Sequence, residues 1–138
     1  MGLRDNLWKD NLSQLQPRPA ASVSTSTSIR QSIAVMRKAA TGCVLVMEGD
    51  RLVGIFTERD LIQRVLAAGV SLDTPIQQVM TRDPVTLRQS DSIGWAIRSM
   101  YEGHYRHMPV MDEQGRCIGI IGVKGIIQYR VDHIPLAV

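Results

Sequence analysis

Aromatic residues make up only 4% of this 138-residue chain, and it contains two cysteines. No apolar stretch approaches the ~18 uncharged residues that a membrane span needs. A transmembrane span is therefore ruled out. Cys43 and Cys117 lie inside apolar runs and form no C-x-x-C pair, so they read as small buried hydrophobes in a reducing compartment. The start, Met1 to Asn6, has no apolar signal core, and Asn6 lacks the hydroxyl that myristoylation prefers. A cytoplasmic protein is expected. Lysine is also scarce, with Lys9, Lys38 and Lys124 the three present among 16 basic residues, so the net charge of +3 is carried by arginine. Those arginines are scattered, which disfavours a nucleic-acid surface. Ser-His-Asp, Cys-His and paired-carboxylate constellations are all missing at useful spacing, so no enzyme is expected.

What is present is a chain with 44% hydrophobic and 21% charged residues. That is enough to bury roughly two-thirds of its unfolded surface without a disulfide or metal staple. A repeat organises it. A shift of 64 residues superposes Gln14 on Gln78, Arg18 on Arg82, Ser28-Ile29 on Ser92-Ile93, Ile33 on Ile97, Met36 on Met100, and Val46-Met47 on Val110-Met111. After one extra residue in the second copy's turn, a shift of 65 superposes Arg51 on Arg116, Gly54-Ile55 on Gly119-Ile120, and Ile62-Gln63 on Ile127-Gln128. Each copy is about 60 residues long.

The two copies predict the same elements. Ser28 caps a helix whose apolar stripe is Ile29, Ile33, Met36 and Ala40, broken at Gly42. Residues 43–47 and 52–56 form a hairpin closed by Gly49-Asp50. A closing helix runs from Glu58 to about Ala68 and stops at Gly69. The second copy gives a helix at 93–102, strands at 108–111 and 116–121, and a closing helix at 123–131. Between the copies, Pro75 opens a short helical turn through Met80, and residues 85–87 read as a leading strand. The chain divides into a lead segment (1–16), a first repeat (17–71) and a second repeat (72–138), with 70–84 as the inter-repeat linker. Leu3, Leu7, Leu12 and Leu15 give the lead a narrow apolar stripe, suited to packing on the domain or a partner chain.

Three segments carry a resemblance: Val53-Gly54-Ile55-Phe56-Thr57-Glu58-Arg59-Asp60, the inter-repeat stretch from Thr74 to Val85, and His104-Tyr105-Arg106-His107-Met108-Pro109-Val110. In this order, on this repeat, the chain resembles a tandem pair of CBS domains over roughly residues 12–133. The resemblance implies an α+β fold of two β-α-β-β-α repeats packed sheet to sheet about a pseudo-two-fold axis. Clefts between the repeats would hold an adenosine-containing ligand such as AMP, ADP, ATP, S-adenosylmethionine or NAD. Such modules associate as homodimers and act as energy sensors on enzymes or transporters.

Thr57 and Asp60 are the sharpest candidates. A carboxylate at a helix start accepts hydrogen bonds from both ribose hydroxyls, while the neighbouring hydroxyl and the first N–H groups face the phosphate end. The same spacing also serves as a capping box. In the second copy Gly122-Val123-Lys124-Gly125 stands at this place, without hydroxyl or carboxylate, so one competent nucleotide site per chain is expected. The resemblance puts the phosphate contacts on Arg106 and His107, with Lys124 weaker, and the base near Val23, Val44 and Ile55. No cofactor other than this ligand is implied. His104 and His107 lack further ligands at metal spacing. A ligand-independent dimerisation scaffold is the alternative function.

Overall fold

The computed structural model describes residues 7–15 and 17–132, with side chains to residue 129. Leu3 and the start through Asn6 lie outside the described residues. Two compact units form, Ala20–Pro84 on one hand and Met1–Pro19 with Val85–Val138 on the other. Residues 72–84, which follow the first copy along the chain, thus belong with it in space, and the lead segment belongs with the second copy.

In the first unit, β1 (Ser22–Ser24) is followed by α1 (Ile29–Ala39), β2 (Cys43–Glu48), β3 (Arg51–Thr57) and the helical turn α2 (Glu58–Asp60). The chain continues from α2 as a π-helical segment (Leu61–Leu66), then a 3-10 turn (Ile76–Gln78) and β4 (Thr81–Arg82). The sheet order is β1-β2-β3-β4. Strand β1 runs parallel to β2, and the other pairs are antiparallel. Period-2 alternation sends Val44, Val46 and Phe56 to the helix side, where they pack with Ile29, Met36, Val65 and Ile76. Leu45 and Ile55, opposite each other across β2–β3, are buried on the other face.

The second unit repeats this plan with β5 (Leu87–Arg88), α3 (Ile93–Gly103), β6 (His107–Met111), β7 (Cys117–Gly122) and α4 (Val123–Asp132). Its sheet order is β5-β6-β7. The repeat holds to the residue: Val23 faces Val46 as Leu87 faces Val110, and Cys43 faces Thr57 as His107 faces Gly122. Both hairpins shift register at the same step, Val46/Met47 and Val110/Met111. Gly49, with φ of 60°, supplies the left-handed residue of the first turn. The longer second turn is held by Asp112, whose carboxylate accepts from the Gln114 and Arg116 N–H groups, both at 2.9 Å. Those bonds, the Arg116 one first, hold the Asp112 carboxyl below the usual aspartate range.

The leading pieces cross between copies. The 3-10 turn Leu12–Leu15 and the stretch through Arg18 are the sequence counterparts of residues 76–82, yet they join the second copy's unit. Arg18 and Ile120 exchange backbone hydrogen bonds of 3.3 and 3.0 Å at the edge of β7. Leu12 is fully buried with Leu87, Ile93, Met108 and Ile121, and Leu7 and Leu15 pack against that cluster. At matching positions of the closing segments, Arg64 donates to the Met80 carbonyl at 2.7 Å, and the Tyr129 hydroxyl donates to Asp10. Each clasps the leading piece its own unit has received. Burial and the Asp10 carboxylate push the Tyr129 phenol up to about 12.

Three local expectations are corrected. The first helix ends not at Gly42 but at Ala40, which is left-handed (φ 51°, ψ 46°) and donates its N–H to the Arg37 and Met36 carbonyls. Its counterpart His104 caps α3 in the same way, with φ of 56°. The closing helix of the first copy is α-helical for one turn and then widens, with i→i+5 bonds from Ala67 N to Ile62 O and Val70 N to Val65 O. Cys117 is half-buried, whereas Cys43 is buried as expected. Left-handed geometry strains a residue carrying a Cβ. Ala40→Gly should accordingly raise stability by about 1 kcal/mol, read as a higher urea midpoint at unchanged slope.

Candidate functional site

Strand β3 delivers Thr57 to the start of the closing helix, and three residues later the chain has turned enough to bring Asp60 back beside it. The Thr57 hydroxyl accepts from the Asp60 N–H (3.3 Å), and the Asp60 Oδ2 accepts from the Thr57 N–H (3.1 Å), completing a capping box. The Thr57 hydroxyl also donates to Oδ2 at 3.2 Å. Asp60 is only 5% exposed. A buried carboxylate requires partners, and two come from elsewhere in the unit. Thr81, on β4, donates its hydroxyl to Oδ1 at 3.2 Å and Oδ2 at 3.3 Å. The Arg64 Nε lies 3.6 Å from Oδ1.

Sequence reading missed Thr81 and Arg64. Thr81 stood in the quoted inter-repeat stretch, but its place beside Asp60 follows from β4 pairing with β3, where Thr81 faces Ile55. Arg64 shared with Asp60 the i, i+4 spacing of a helical ion pair, which was a usable signal.

Of the expected base-contacting residues, Ile55 shares a strand face with Thr57, whereas Val23 and Val44 lie in the helix-side cluster. Arg106, His107 and Lys124 gather at one end of the second copy's hairpin. His107 opens β6 opposite Gly122, and a Cβ added at Gly122 would stand 3.3 Å from the imidazole. The Arg106 carbonyl accepts from the Val123 N–H at 3.0 Å, as the Gly42 carbonyl accepts from the Glu58 N–H at 3.0 Å. Both closing helices are thus started by the same backbone bond. Only the first adds a hydroxyl and a carboxylate.

Cys43 lies opposite Thr57, and burial, reinforced by the Glu58 charge and opposed by a Thr41 hydrogen bond, pushes its thiol up to about 11. Burial also raises the Cys117 thiol. Both shifts disfavour the thiolate. Among the described residues no group of three or more His, Cys, Asp or Glu could hold a metal ion, and no helix is long and apolar enough to cross a membrane.

The chain is thus a duplicated α+β unit of one element order, with a Thr-x-x-Asp corner in one copy. The family model of the CBS domain matches residues 12–67 and 76–132, and the chain belongs to that family. A CBS domain-containing protein of Arabidopsis thaliana is 30% identical over 124 residues, which is 88% of this chain but 23% of the relative's length. The chain thus spans less than a quarter of that relative. The CBS-domain containing protein of Agrobacterium tumefaciens is 29% identical, with a TM-score of 0.80 covering 87% of this chain and 98% of its own. A CBS domain protein of Pyrobaculum aerophilum, solved as a complex with AMP, has the same fold at 23% identity, with a TM-score of 0.78 over 88% of this chain and 98% of its own.

Proposed function

We propose that this chain is a CBS-pair sensor that binds an adenine nucleotide, AMP- or ATP-like, through a ribose anchor at Thr57 and Asp60. Occupancy alters its assembly, as a homodimer, or the activity of a partner enzyme or transporter. One observation carries the reading: the corner has more polar chemistry than its structural task needs. Helices α2 and α4 share the same starting backbone bond, to the Gly42 and Arg106 carbonyls, but α4 has Gly122 and Gly125 where α2 has Thr57 and Asp60. A buried carboxylate at a helix start that the other copy builds without one calls for a second role. The AMP-bound neighbour supplies the ligand class, and Ile55, apolar and buried, lies on the Thr57 side of β3. Arg106 and His107, with Lys124, are the expected phosphate partners.

Thermal denaturation with AMP, ADP, ATP and adenosine tests this. At a ligand concentration about 100-fold above Kd, the native state gains about 2.7 kcal/mol, and the melting temperature rises. Asp60→Asn, which keeps the side chain's shape, should abolish that rise. Arg106→Ala should reduce the AMP response while leaving the smaller adenosine response intact. A folded protein indifferent to every adenosine compound would defeat the proposal. One observation favours the alternative scaffold reading. Asp60 is already engaged by the protein's own donors, and a pure scaffold would form dimers that ignore nucleotides and Asp60→Asn alike.

A further inference from the structure

We infer that the Thr81 hydroxyl sets the affinity of this site by holding the place a ribose hydroxyl must take. The inference rests on the reading of Thr57 and Asp60 as a ribose anchor and says what guards that anchor. An ionised carboxylate only accepts, and its two oxygens offer about four lone-pair directions. On Asp60, Oδ2 accepts from both the N–H and the hydroxyl of Thr57, at 3.1 and 3.2 Å. Those bonds belong to the capping box and are local. Oδ1 faces Arg64 at 3.6 Å, an ion-pair distance, with the arginine side chain 48% exposed. Its closest donor is the Thr81 hydroxyl, which bridges to both oxygens at 3.2 and 3.3 Å from 21 residues away.

A ribose diol donates one hydrogen bond to each carboxylate oxygen. With the group only 5% exposed, a diol reaches Oδ1 only if a resident donor withdraws. Thr81 is the donor able to do so. Its hydroxyl turns about a single bond; the Thr57 hydroxyl does so too, but it donates to Oδ2 and leaves Oδ1 to Thr81. Arg64 is also held by its 2.7 Å bond to the Met80 carbonyl. The ligand therefore replaces a hydrogen bond to a charged group that the empty protein already makes, and its affinity falls by the worth of that bond, about tenfold or more. Position 81 thus acts as a built-in competitor for the ribose.

Calorimetric titration of the full chain with AMP, and with 2′,3′-dideoxyadenosine monophosphate as a probe without the diol, tests this on three proteins. Thr81→Val keeps shape and strand preference but removes the hydroxyl, and Thr81→Ser restores it. The valine variant should bind AMP about tenfold more tightly than wild type, with no gain for the dideoxy probe, and the serine variant should match wild type. AMP binding that is unchanged or weaker in the valine variant would overturn the inference while leaving the ribose anchor standing. An equal gain for both ligands would also overturn it, since the diol would then not be what competes. Binding by neither wild type nor the valine variant, with both folded by circular dichroism, would remove the anchor and the competitor together. Binding by the valine variant alone would support both.

Discussion

Leu12→Ala is expected to destabilise the protein by about 3 kcal/mol, the cost of an interior leucine and not of a terminal one. The residue is fully buried in one cluster with Leu87, Ile93, Met108, Val110 and Ile121. Its backbone is fixed as firmly as its side chain. The Leu12 N–H donates to the Asp91 carbonyl at 3.0 Å, and the Ile93 N–H donates to the Asp10 carbonyl at 2.9 Å. These bonds tie the lead segment to the N-terminus of α3, so the site cannot collapse freely around the missing methyl groups. Truncation leaves a cavity whose lining loses its contacts. Urea denaturation followed by circular dichroism should show a much lower midpoint, and a thermal midpoint lower by roughly 10 °C. A loss below about 1 kcal/mol, the usual effect of a surface substitution, would place Leu12 outside the core.

The lead segment also shows where reading along the chain stops working. The hairpins, the Ser28 cap and the 64- and 65-residue registers were all legible, because each depends on residues within a few positions of one another or on identity between the copies. The pairing of Leu12–Arg18 with the second copy, and of residues 76–82 with the first, was not. The repeat marked Arg18 and Arg82 as equivalents, yet nothing local says which sheet an equivalent piece will join. The same blindness hid Thr81 from Asp60, since their proximity exists only once β4 has paired with β3. Ala40 was missed for another reason. Propensity assigns left-handed caps to glycine, and Gly42 stood two residues away as the conventional choice. The Thr57–Asp60 box was legible because capping is a spacing rule. Its surplus over the backbone bond was not, since it required the Arg106 and Gly42 carbonyls to be seen starting both helices in the same way.

The crossed leading pieces give a physical reason for the Gly-Ile pair that both copies carry, and with it the second large effect. Gly119→Ala should cost about 3 kcal/mol or more. A Cβ at Gly119 would stand 2.5 Å from the Arg18 carbonyl oxygen and 3.1 Å from the Pro17 side chain, and the residue's φ of 158° is one that L side chains rarely adopt. The obstacle is backbone. Relief means breaking the two Arg18–Ile120 hydrogen bonds, each worth about 1 kcal/mol, in addition to backbone strain of about 1–3 kcal/mol. The counterpart Gly54 also lies under a leading piece, but there a Cβ would overlap the Met80 sulfur first and approach the Thr81 carbonyl only to 3.0 Å. A methionine has rotamers to spare, so Gly54→Ala should cost clearly less. Gly125, with nothing within 4 Å of its would-be Cβ, lies inside α4, where alanine should add up to about 1 kcal/mol of stability. Urea midpoints in the order Gly125→Ala, wild type, Gly54→Ala, Gly119→Ala are the expected result. Equal losses at Gly54 and Gly119 would mean that the Arg18 backbone yields as readily as a methionine side chain, and that the lead segment is only loosely held against β7.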